Sequence, residues 1–486
     1  MTEPRRSAVI LKEALTFDDV LLVPGHSTVH PRDTELGSRA TSKVALQIPL
    51  LAAAMDTVTE SRMAIQMARE GGMGIIHKNM SVDRQAEEVD RVKRSESGMI
   101  LNPITLGPDA TLRQAHELMG RFSISGVPIV ENGERLVGII TNRDLQFETQ
   151  LDRPIRDVMT SDGLVTVPVG TTLDQAEAVL HEHRIEKLPV VDGEGRLKGL
   201  ITVKDIFKRR RYPDACKDEH GRLRVGAAVG TSQADLDRAA AVLDAGVDLL
   251  VIDTAHGHSI RVLDSVARVK KLSNAVQVIA GNVATADGTQ AMVDAGADSI
   301  KVGVGPGSIC VTRVVTGYGM PQVTAVMEAY EVAHRARIPI IADGGVKDDK
   351  DVFLALVCGA TSVMMGSALS GTDESPGQVI EDPASGQKLK IYRGMTSPQA
   401  VLQTLYSADQ ADVDEALETP SEGQEIQVRY KGSVVDILSR MRGHLRSAVS
   451  YAGARSLAEA RDAVVRDPMR WLVPLSEAAR RESYER

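Results

Sequence analysis

The stretch from Lys301 to Arg313, KVGVGPGSICVTR, holds the residue types that covalent catalysis needs. An apolar run is followed by three glycines, a proline and then Cys310. Glycine adopts backbone angles that other residues avoid, so several amide groups can converge on an anion at such a turn. A thiol on this loop, three residues before an arginine, can be held partly as thiolate and act as a nucleophile. The alternative is a tight turn around a small buried cysteine, but the three glycines and the Cys-x-Thr sequence after a strand favour a working site.

Thr312 stands two residues after Cys310, where its hydroxyl could donate or accept a proton beside the thiol. We therefore predict that both are catalytic residues and that the thiol bonds covalently to an electrophilic carbon. The other cysteines have different settings, because Cys358 lies in an apolar helical pattern and Cys216 lies among charged residues. Three cysteines so far apart form neither a disulfide framework nor a zinc-binding spacing.

These residues need a fold that brings strand ends to one face. Apolar strand-like runs recur along the chain, and helical patterns separate most of them. The eight predicted strands are 48–54, 74–77, 225–229, 249–252, 276–280, 299–302, 338–342 and 362–365. Eight strands, each followed by a helix, predict an α/β protein with a (β/α)8 TIM barrel. A doubly wound open sheet is the alternative, but its G-x-G-x-x-G sequence after a first strand is absent.

The predicted strands end on polar residues or glycines. The ends carry Asp253, Gly281-Asn282, the loop 303–313, Asp343-Gly344-Gly345 and Gly366-Ser367. In a TIM barrel these ends converge on the active site. The last two suit a phosphate group bound by backbone amides and a serine hydroxyl, which places Asp343 to hold sugar hydroxyls. Ordinary loop glycines would explain any one of these ends, but they explain all five together poorly.

An internal repeat interrupts the barrel pattern after its second β-α unit. Residues 126–145 (GVPIVENGERLVGIITNRDL) match residues 187–206 (KLPVVDGEGRLKGLITVKDI) at a constant offset of 61. Each copy is predicted as strand, turn, strand and a helix that begins at T-x-x-D. We therefore predict a first part of the barrel at 1–95, a tandem module at 96–210 with copies at 96–150 and 157–210, and the second part of the barrel at 211–486.

The composition is typical of a globular protein, with 43% hydrophobic and 25% charged residues among 486. A net charge of -9 and an aromatic content of 3% argue against nucleic acid as the main partner. A local nest of amides can still bind a phosphorylated small molecule. No signal peptide and no run of membrane-spanning length is visible, so we expect a cytoplasmic protein with no membrane partner.

The motifs together resemble the family of inosine-5'-monophosphate (IMP) dehydrogenases and guanosine-monophosphate (GMP) reductases, and are most similar to the bacterial dehydrogenases. The resemblance rests on LTFDDVLLVP, AAMDTVT, GIIHKNM, DTAHGHS, AGNVAT, GVGPGSIC and YRGM, and covers nearly the whole chain. It implies that Cys310 attacks carbon 2 of the purine, that a hydride passes to NAD, and that water releases xanthosine monophosphate. The repeat resembles a tandem pair of CBS domains, which implies a regulatory nucleotide. The family also implies a monovalent cation, usually K⁺, and homotetramers, with octamers as an open alternative.

The resemblance assigns further roles residue by residue. The dinucleotide is expected at Asp253, Gly303, Val304 and Gly305. The mononucleotide is expected at Ser308, Asp343, Gly344, Gly345, Gly366, Ser367, Tyr392, Arg393, Gly394, Met395 and Glu422. The cation is expected on the carbonyls of Gly303, Gly305 and Cys310. The regulatory nucleotide is expected at Thr141, Asp144, Thr202 and Asp205, although both aspartates could equally stabilise helix starts.

The chain departs from the dehydrogenase pattern in the predicted flap, about residues 395–430. The Arg-Tyr pair that activates water in the dehydrogenases is replaced by Ala408-Asp409, and no arginine lies between Gly394 and Val428. Thr396-Ser397 resembles the reductases, which pass a hydride from NADPH to the same carbon and release ammonia. We expect NAD-dependent oxidation of IMP in GMP biosynthesis. A reductase and a nucleotide-sensing regulator with weak catalysis are the alternatives.

Overall fold

The computed structural model describes residues 12–96, 99–101, 103–122, 124–273, 275–405 and 421–484. The described residues form two compact units: those within 1–93, 214–216 and 224–486, and those within 94–213 and 217–223. Across the described ranges, none of the helices is long and apolar enough to cross a membrane.

The first unit is built around a closed barrel of eight parallel strands. They are β1 (Leu50–Ala52), β2 (Met73–Ile76), β3 (Gly226–Val229), β4 (Leu249–Asp253), β5 (Gln277–Val283), β6 (Ser299–Val302), β7 (Ile340–Asp343) and β8 (Ser362–Met365). The helices on the outside are α1 (Ser61–Arg69), α2 (Val82–Ser95), α3 (Gln233–Asp244), α4 (Ile260–Leu272), α5 (Ala286–Asp294), α6 (Gln322–Arg335), α7 (Asp349–Val357) and α8 (Val434–Tyr451). Because β8 pairs with β1, the sheet closes, and the predicted (β/α)8 fold is confirmed.

Burial along the strands shows which of their residues face the mouth of the barrel. Strand residues are buried throughout, except for Asp253 and Asp343, which are partly exposed. Full burial is expected of parallel strands that helices cover from outside. The two exceptions are the last residues of β4 and β7, so their carboxylates reach the carboxyl end of the barrel.

The predicted strand ends agree with the observed ones within two residues, except at the end of the fifth strand. The prediction ended the fifth strand at residue 280, but β5 continues through Gly281 and Asn282 to Val283. The cause is an irregularity in the pairing of β5 with β6, which shifts register between Gly281 and Val283. Hydrophobic patterns do not reveal such a shift, since it depends on the neighbouring strand.

Shorter elements complete this unit. A three-stranded antiparallel sheet stands beside the barrel and consists of Ile380–Glu381, Lys388–Arg393 and Glu425–Arg429. The helix Pro398–Leu405 lies between its last two strands in sequence. Near the two chain ends, Val20–Leu22 pairs with Leu472–Pro474, and Ser38–Arg39 pairs with Ala45–Leu46. The remaining helices are Thr312–Val315, Leu457–Arg466, Pro468–Trp471 and Glu477–Tyr484, with 3-10 turns at Phe17–Asp19 and Pro31–Asp33.

The second unit contains the two copies of the internal repeat. The first copy has the helix Leu112–Phe122, the hairpin Gly126–Glu131 with Arg135–Thr141, and the short helix Asn142–Leu145. The second copy has Leu173–His183, the hairpin Lys187–Val191 with Leu197–Thr202, and Val203–Arg211. Ile100–Leu101 and Val167–Pro168 extend the second hairpin to four strands, and Ile155–Asp157 is a 3-10 turn.

The two hairpins share one register. Pro128 pairs with Ile139, and Pro189 pairs with Leu200 at the same offset of 61. Each hairpin also has its irregularity at the equivalent place, after Ile129 in one copy and after Val190 in the other. Each copy has a separate hydrophobic core. The sequence repeat is therefore a structural repeat of one module.

Candidate active site

A cavity of about 730 Å³ opens at the carboxyl ends of the barrel strands. The predicted residues that line it are Asp253, Gly303, Gly305, Ser308, Cys310, Thr312, Asp343, Gly344, Gly345, Gly366, Ser367, Tyr392, Gly394, Met395 and Glu422. Two other predicted residues, Val304 and Arg393, are not part of its lining. A cavity of this size is typical of small-molecule and cofactor sites.

Backbone pairing holds the cysteine loop against the segment that carries Glu422. The Val311 amide donates to the Glu422 carbonyl at 2.9 Å, and the Gln424 amide donates to the Ile309 carbonyl at 3.1 Å. This pairing brackets Cys310, whose own amide donates to the Gly307 carbonyl at 3.1 Å. The thiol is half-buried at the edge of the cavity, and the carboxylate of Glu422 is brought to the same place.

Cys310, Thr312 and Glu422 form a continuous chain of polar contacts. Cys310 Sγ lies 3.1 Å from the Thr312 hydroxyl, which donates to Glu422 Oε2 at 2.5 Å. A hydroxyl has one proton to donate and can accept another, so Thr312 can receive the thiol proton while it passes its own to the carboxylate. The arrangement gives the cysteine a general base, which an activated nucleophile requires.

A buried lysine joins two carboxylates that line the same cavity. Lys301 Nζ lies 2.6 Å from Asp253 Oδ1 and 2.6 Å from Asp343 Oδ2. Asn282 Nδ2 donates to the same Asp343 oxygen at 2.9 Å and to the Gly303 carbonyl at 2.7 Å. Sequence reasoning gave Lys301 no role, although a lysine within an otherwise apolar strand was a visible signal.

Burial opposes charge on the lysine and on one of its partners, and the ion pairs outweigh that effect. Burial alone would lower the pKa of Lys301, but the carboxylates of Asp253 and Asp343 raise the pKa above its usual value. Burial alone would raise the pKa of Asp253, but the attraction of Lys301 lowers it. Lys301 and Asp253 are therefore both charged at neutral pH.

Glycines and one serine form the part of the cavity that suits a phosphate group. Gly344 and Gly345 have φ angles of +85° and +80°, which only glycine adopts readily. Gly366 permits a close approach, because a methyl group there would lie 2.7 Å from Tyr392 Oη. Burial raises the pKa of Tyr392, and a hydrogen bond with Ser308 partly opposes that rise. The tyrosine is therefore neutral, and its hydroxyl lies between the pocket that suits a phosphate group and the cysteine loop.

Arg393 is turned toward Asp56 and not toward the cavity. Its Nε and Nη2 atoms contact the Asp56 carboxylate at 3.0 and 2.6 Å, and its amide donates to Thr57 Oγ1 at 3.2 Å. Asn79 Nδ2 also donates to Asp56, at 2.7 Å. The guanidinium thus ties the strand that carries Tyr392 to the loop after β1. The sequence indicated none of these contacts.

The predicted cation site offers backbone carbonyl oxygens, the kind of ligand that a monovalent cation takes. Backbone carbonyls are the oxygen ligands that replace the hydration shell of K⁺. Among the described residues, no hydrogen-bond donor contacts the carbonyls of Gly305 and Cys310, while Gly303 accepts one bond from Asn282. A carbonyl with one bond keeps a second lone pair. Within the described part of the chain, no cluster of three or more His, Cys, Asp or Glu side chains could hold a metal ion.

In the second unit, the predicted regulatory residues contact each other. The Thr141 hydroxyl donates to Asp144 Oδ2 at 2.8 Å, and the Thr202 hydroxyl donates to Asp205 Oδ2 at 2.6 Å. Both aspartates also accept the amide of their threonine and close a capping box. Burial raises the pKa of Asp205. Both aspartates therefore stabilise the start of a helix in this structure.

The structure describes only part of the predicted flap. Residues 395–405 and 421–430 belong to the described ranges, and Gly423 packs against Thr396 and Ser397 there. The Ala408-Asp409 position lies outside the described residues.

The chain is similar to a family of purine nucleotide enzymes along almost its whole length. The family model described as IMP dehydrogenase / GMP reductase domain matches residues 14–485. The inosine-5'-monophosphate dehydrogenase of Aquifex aeolicus is 53% identical over 451 residues, which is 92% of this chain and 91% of that protein. The enzyme of the same name from Bacillus subtilis is 51% identical over 453 residues, 93% of this chain and 92% of that protein.

A solved structure has the same fold along nearly the whole chain. It is a cysteine-to-alanine variant of GMP reductase from Trypanosoma brucei in complex with guanosine 5'-monophosphate. Its sequence identity is 38% and its TM-score is 0.88, with 97% of this chain and 98% of that chain covered.

Proposed function

From the premise that the chain belongs to the IMP dehydrogenase / GMP reductase family, we propose that it oxidises IMP to xanthosine 5'-monophosphate with NAD, in guanine nucleotide biosynthesis. The observation that carries the proposal is the contact of Cys310 with Thr312, whose hydroxyl in turn donates to Glu422, in a cavity large enough for a nucleotide. The relatives at 51–53% identity that bear the dehydrogenase name favour this direction of the reaction.

Cys310 starts the reaction as a nucleophile. Its sulfur bonds to carbon 2 of the purine, and the thiol proton leaves through the Thr312 hydroxyl toward Glu422. NAD supplies the acceptor for the hydride that carbon 2 loses. The purine is then oxidised by two electrons and stays joined to the sulfur through carbon 2.

Water completes the reaction. Glu422 first releases the thiol proton to solvent. A water molecule then adds to carbon 2, one of its protons passes through the Thr312 hydroxyl to Glu422, and the carbon–sulfur bond breaks. The sulfur recovers a proton and the oxidised nucleotide leaves. No arginine lies in the flap between Gly394 and Val428, so Glu422 is the base that the described residues offer for this step.

The rest of the cavity holds the two substrates. We assign the phosphate of the mononucleotide to the amides and hydroxyls of Ser308, Gly344, Gly345, Gly366 and Ser367. Asp343 accepts hydrogen bonds from its ribose, while Tyr392, Gly394, Met395 and Glu422 surround the phosphate and base. Asp253 takes the ribose of the dinucleotide beside Gly303 and Gly305.

A cation and other subunits complete the proposed enzyme. The carbonyls of Gly303, Gly305 and Cys310 would hold a K⁺ ion, which would stabilise the loop that carries the nucleophile. We also propose that the chain assembles as a homotetramer, as expected for the family.

The repeat at 96–210 is proposed as a regulatory module that binds a purine nucleotide through Thr141, Asp144, Thr202 and Asp205. The two copies share one register, so they offer two equivalent sites. Each aspartate would exchange a capping contact for a ribose hydroxyl. Nucleotide titration of the Asp144→Asn and Asp205→Asn variants tests this, since unchanged binding in both would contradict it.

A GMP reductase is the second candidate, because no arginine lies between Gly394 and Val428 and the Trypanosoma brucei reductase has a TM-score of 0.88. One experiment separates the candidates. The purified protein is given IMP with NAD⁺ in one cuvette and GMP with NADPH in another, and absorbance of the reduced dinucleotide is followed. Formation of NADH supports the dehydrogenase. Consumption of NADPH with release of ammonia supports the reductase, and no change in either cuvette overturns both.

The Cys310→Ala variant is the control for that experiment. It keeps the cavity but has no sulfur to bond with carbon 2, so neither reaction should proceed above background. Full activity of this variant would contradict the covalent mechanism.

A further inference from the structure

Lys301 is a buried lysine for which the proposed chemistry gives no role. Its side chain is 3% exposed, and its ammonium lies 2.6 Å from both Asp253 and Asp343. The two aspartates end β4 and β7, whereas the lysine is on β6. The Lys301 ammonium therefore connects two carboxylates, Asp253 and Asp343, that the proposed function assigns to different substrates.

The barrel register explains how Lys301 reaches Asp253, which lies two strands away. Asp253 pairs with Gly281 and Gly281 pairs with Lys301, so the three stand in one row across β4, β5 and β6. The middle residue of the row has no side chain. A methyl group at Gly281 would lie 2.7 Å from Lys301 Cβ, well inside van der Waals contact. Glycine at 281 thus leaves the lysine a path across β5.

Each carboxylate keeps an oxygen for a ligand. Lys301 contacts only Oδ1 of Asp253 and only Oδ2 of Asp343, and Asn282 uses that same Asp343 oxygen. Among the described residues, the second oxygen of each aspartate accepts no side-chain hydrogen bond. Both aspartates line the cavity. A ribose hydroxyl can therefore bind to each without displacing the lysine.

We propose that Lys301 is a positioning residue that fixes the separation of the two carboxylates, and so aligns the ribose of the mononucleotide with the ribose of the dinucleotide for hydride transfer. The inference rests on the proposed function, which gives Asp343 to one substrate and Asp253 to the other. Correct alignment of two reactants contributes a large part of enzymatic rate. Without the ammonium the two carboxylates would repel each other, and both binding positions would shift together.

The Lys301→Met variant removes the charge and keeps most of the side-chain length. Binding of IMP alone and of NAD⁺ alone is measured by calorimetry, and turnover is measured at saturation with both. We expect both dissociation constants to rise by about tenfold or more, as for loss of one partner of a buried pair. We also expect turnover at saturation to fall, because misaligned substrates react slowly even when bound.

The same barrel offers a matched control. Lys93 is also 3% exposed and contacts Asp248 at 2.8 Å, at the opposite end of the β4 segment from Asp253. Lys93→Met therefore removes a comparable buried lysine away from the cavity. It should lower the thermal midpoint as Lys301→Met does, while both dissociation constants and the turnover stay near those of the unaltered protein.

A second variant tests the link between the two sites even if Lys301→Met does not fold. In Asp253→Asn the lysine loses one carboxylate of its pair and moves toward Asp343. We expect this change in the dinucleotide site to weaken binding of IMP alone by a measurable factor. Unchanged IMP binding would contradict the link.

The outcomes separate the inference from the function on which it rests. If the unaltered protein does not oxidise IMP with NAD⁺, the proposed function fails whatever Lys301 does. If it does so and Lys301→Met matches Lys93→Met in binding and turnover, the positioning role is overturned. Selective loss in Lys301→Met, together with weakened IMP binding in Asp253→Asn, supports it.

Discussion

The hydroxyl of Thr312 donates a 2.5 Å hydrogen bond to Glu422 Oε2, although 110 residues separate them in the chain. The backbone of residues 309–311 pairs with that of 422–424, and this pairing brings the carboxylate to the hydroxyl. The same hydroxyl lies 3.1 Å from Cys310 Sγ. A proton route from the thiol to a carboxylate thus depends on two distant segments lying side by side.

Replacing Glu422 by glutamine should lower turnover of IMP by about 10²–10⁴-fold, the usual contribution of a positioned general base. Glutamine keeps the size of the side chain but cannot take a proton. Glu425→Gln is the control, because Glu425 lies nearby and contacts Arg393 at 3.7 Å. Turnover is measured for both variants, for Thr312→Ala, and for Thr312→Ala combined with Glu422→Gln. If Thr312 and Glu422 act as one unit, the double variant should lose little more than the single ones. Turnover of Glu422→Gln at the unaltered rate would contradict the route.

Alkylation at mildly alkaline pH should modify one cysteine of the folded protein. Burial raises the pKa of Cys216 and of Cys358 to about 12, so both remain thiols that do not react at that pH. Cys310 is half-buried at the cavity. Mass spectrometry after iodoacetamide treatment should find the label on Cys310, and saturating IMP should slow its addition. Early labelling of Cys216 or Cys358 would show that the fold is more open than described.

Alanine at Gly303 should destabilise the protein by about 1–3 kcal/mol and abolish turnover. Gly303 has a φ of +147°, and an added methyl group would overlap the Asp343 carbonyl. Gly296→Ala is the matched control, since Gly296 has a φ of +89° with nothing within 4 Å of an added methyl. Chemical unfolding and turnover are compared for both. Equal losses in the two variants would mean that backbone strain alone, and not the contact with Asp343, is responsible.

Acid should remove the stabilising contribution of Glu60. The His77 ring, whose Nε2 lies 3.5 Å from Glu60 Oε1, lowers the pKa of Glu60 below its usual 4.5. A depressed carboxyl pKa favours the folded state above the unfolded value, and the benefit disappears as pH falls through the folded value. The thermal midpoint of Glu60→Gln should therefore lie below that of the unaltered protein at neutral pH, and the gap should narrow below pH 4.5. Glu381→Gln, at an exposed position, measures the effect of removing a carboxylate elsewhere. A gap that widens on acidification would contradict the sign.

The sequence by itself determined the architecture and indicated Cys310 as the candidate nucleophile. Buried parallel strands appear in the sequence as apolar runs, and surface helices appear as apolar residues that recur about every 3.6 positions. The eight β-α units were therefore visible before any contact was known. The repeat was visible because its two copies share residues at one offset, and the structure confirms that they share a register. Cys310 was visible because glycines, a hydroxyl and a cysteine after a strand are local features.

Tertiary structure alone decided which partners these residues have. Lys301 meets Asp253 from 48 residues away, and Thr312 meets Glu422 from 110 residues away. Arg393, predicted at the substrate, instead binds Asp56. Such contacts follow from strand register and barrel closure, which join segments that no local pattern relates. The residue types predicted a covalent reaction at the cysteine, while the closed barrel decided which side chains form hydrogen bonds and ion pairs with each other.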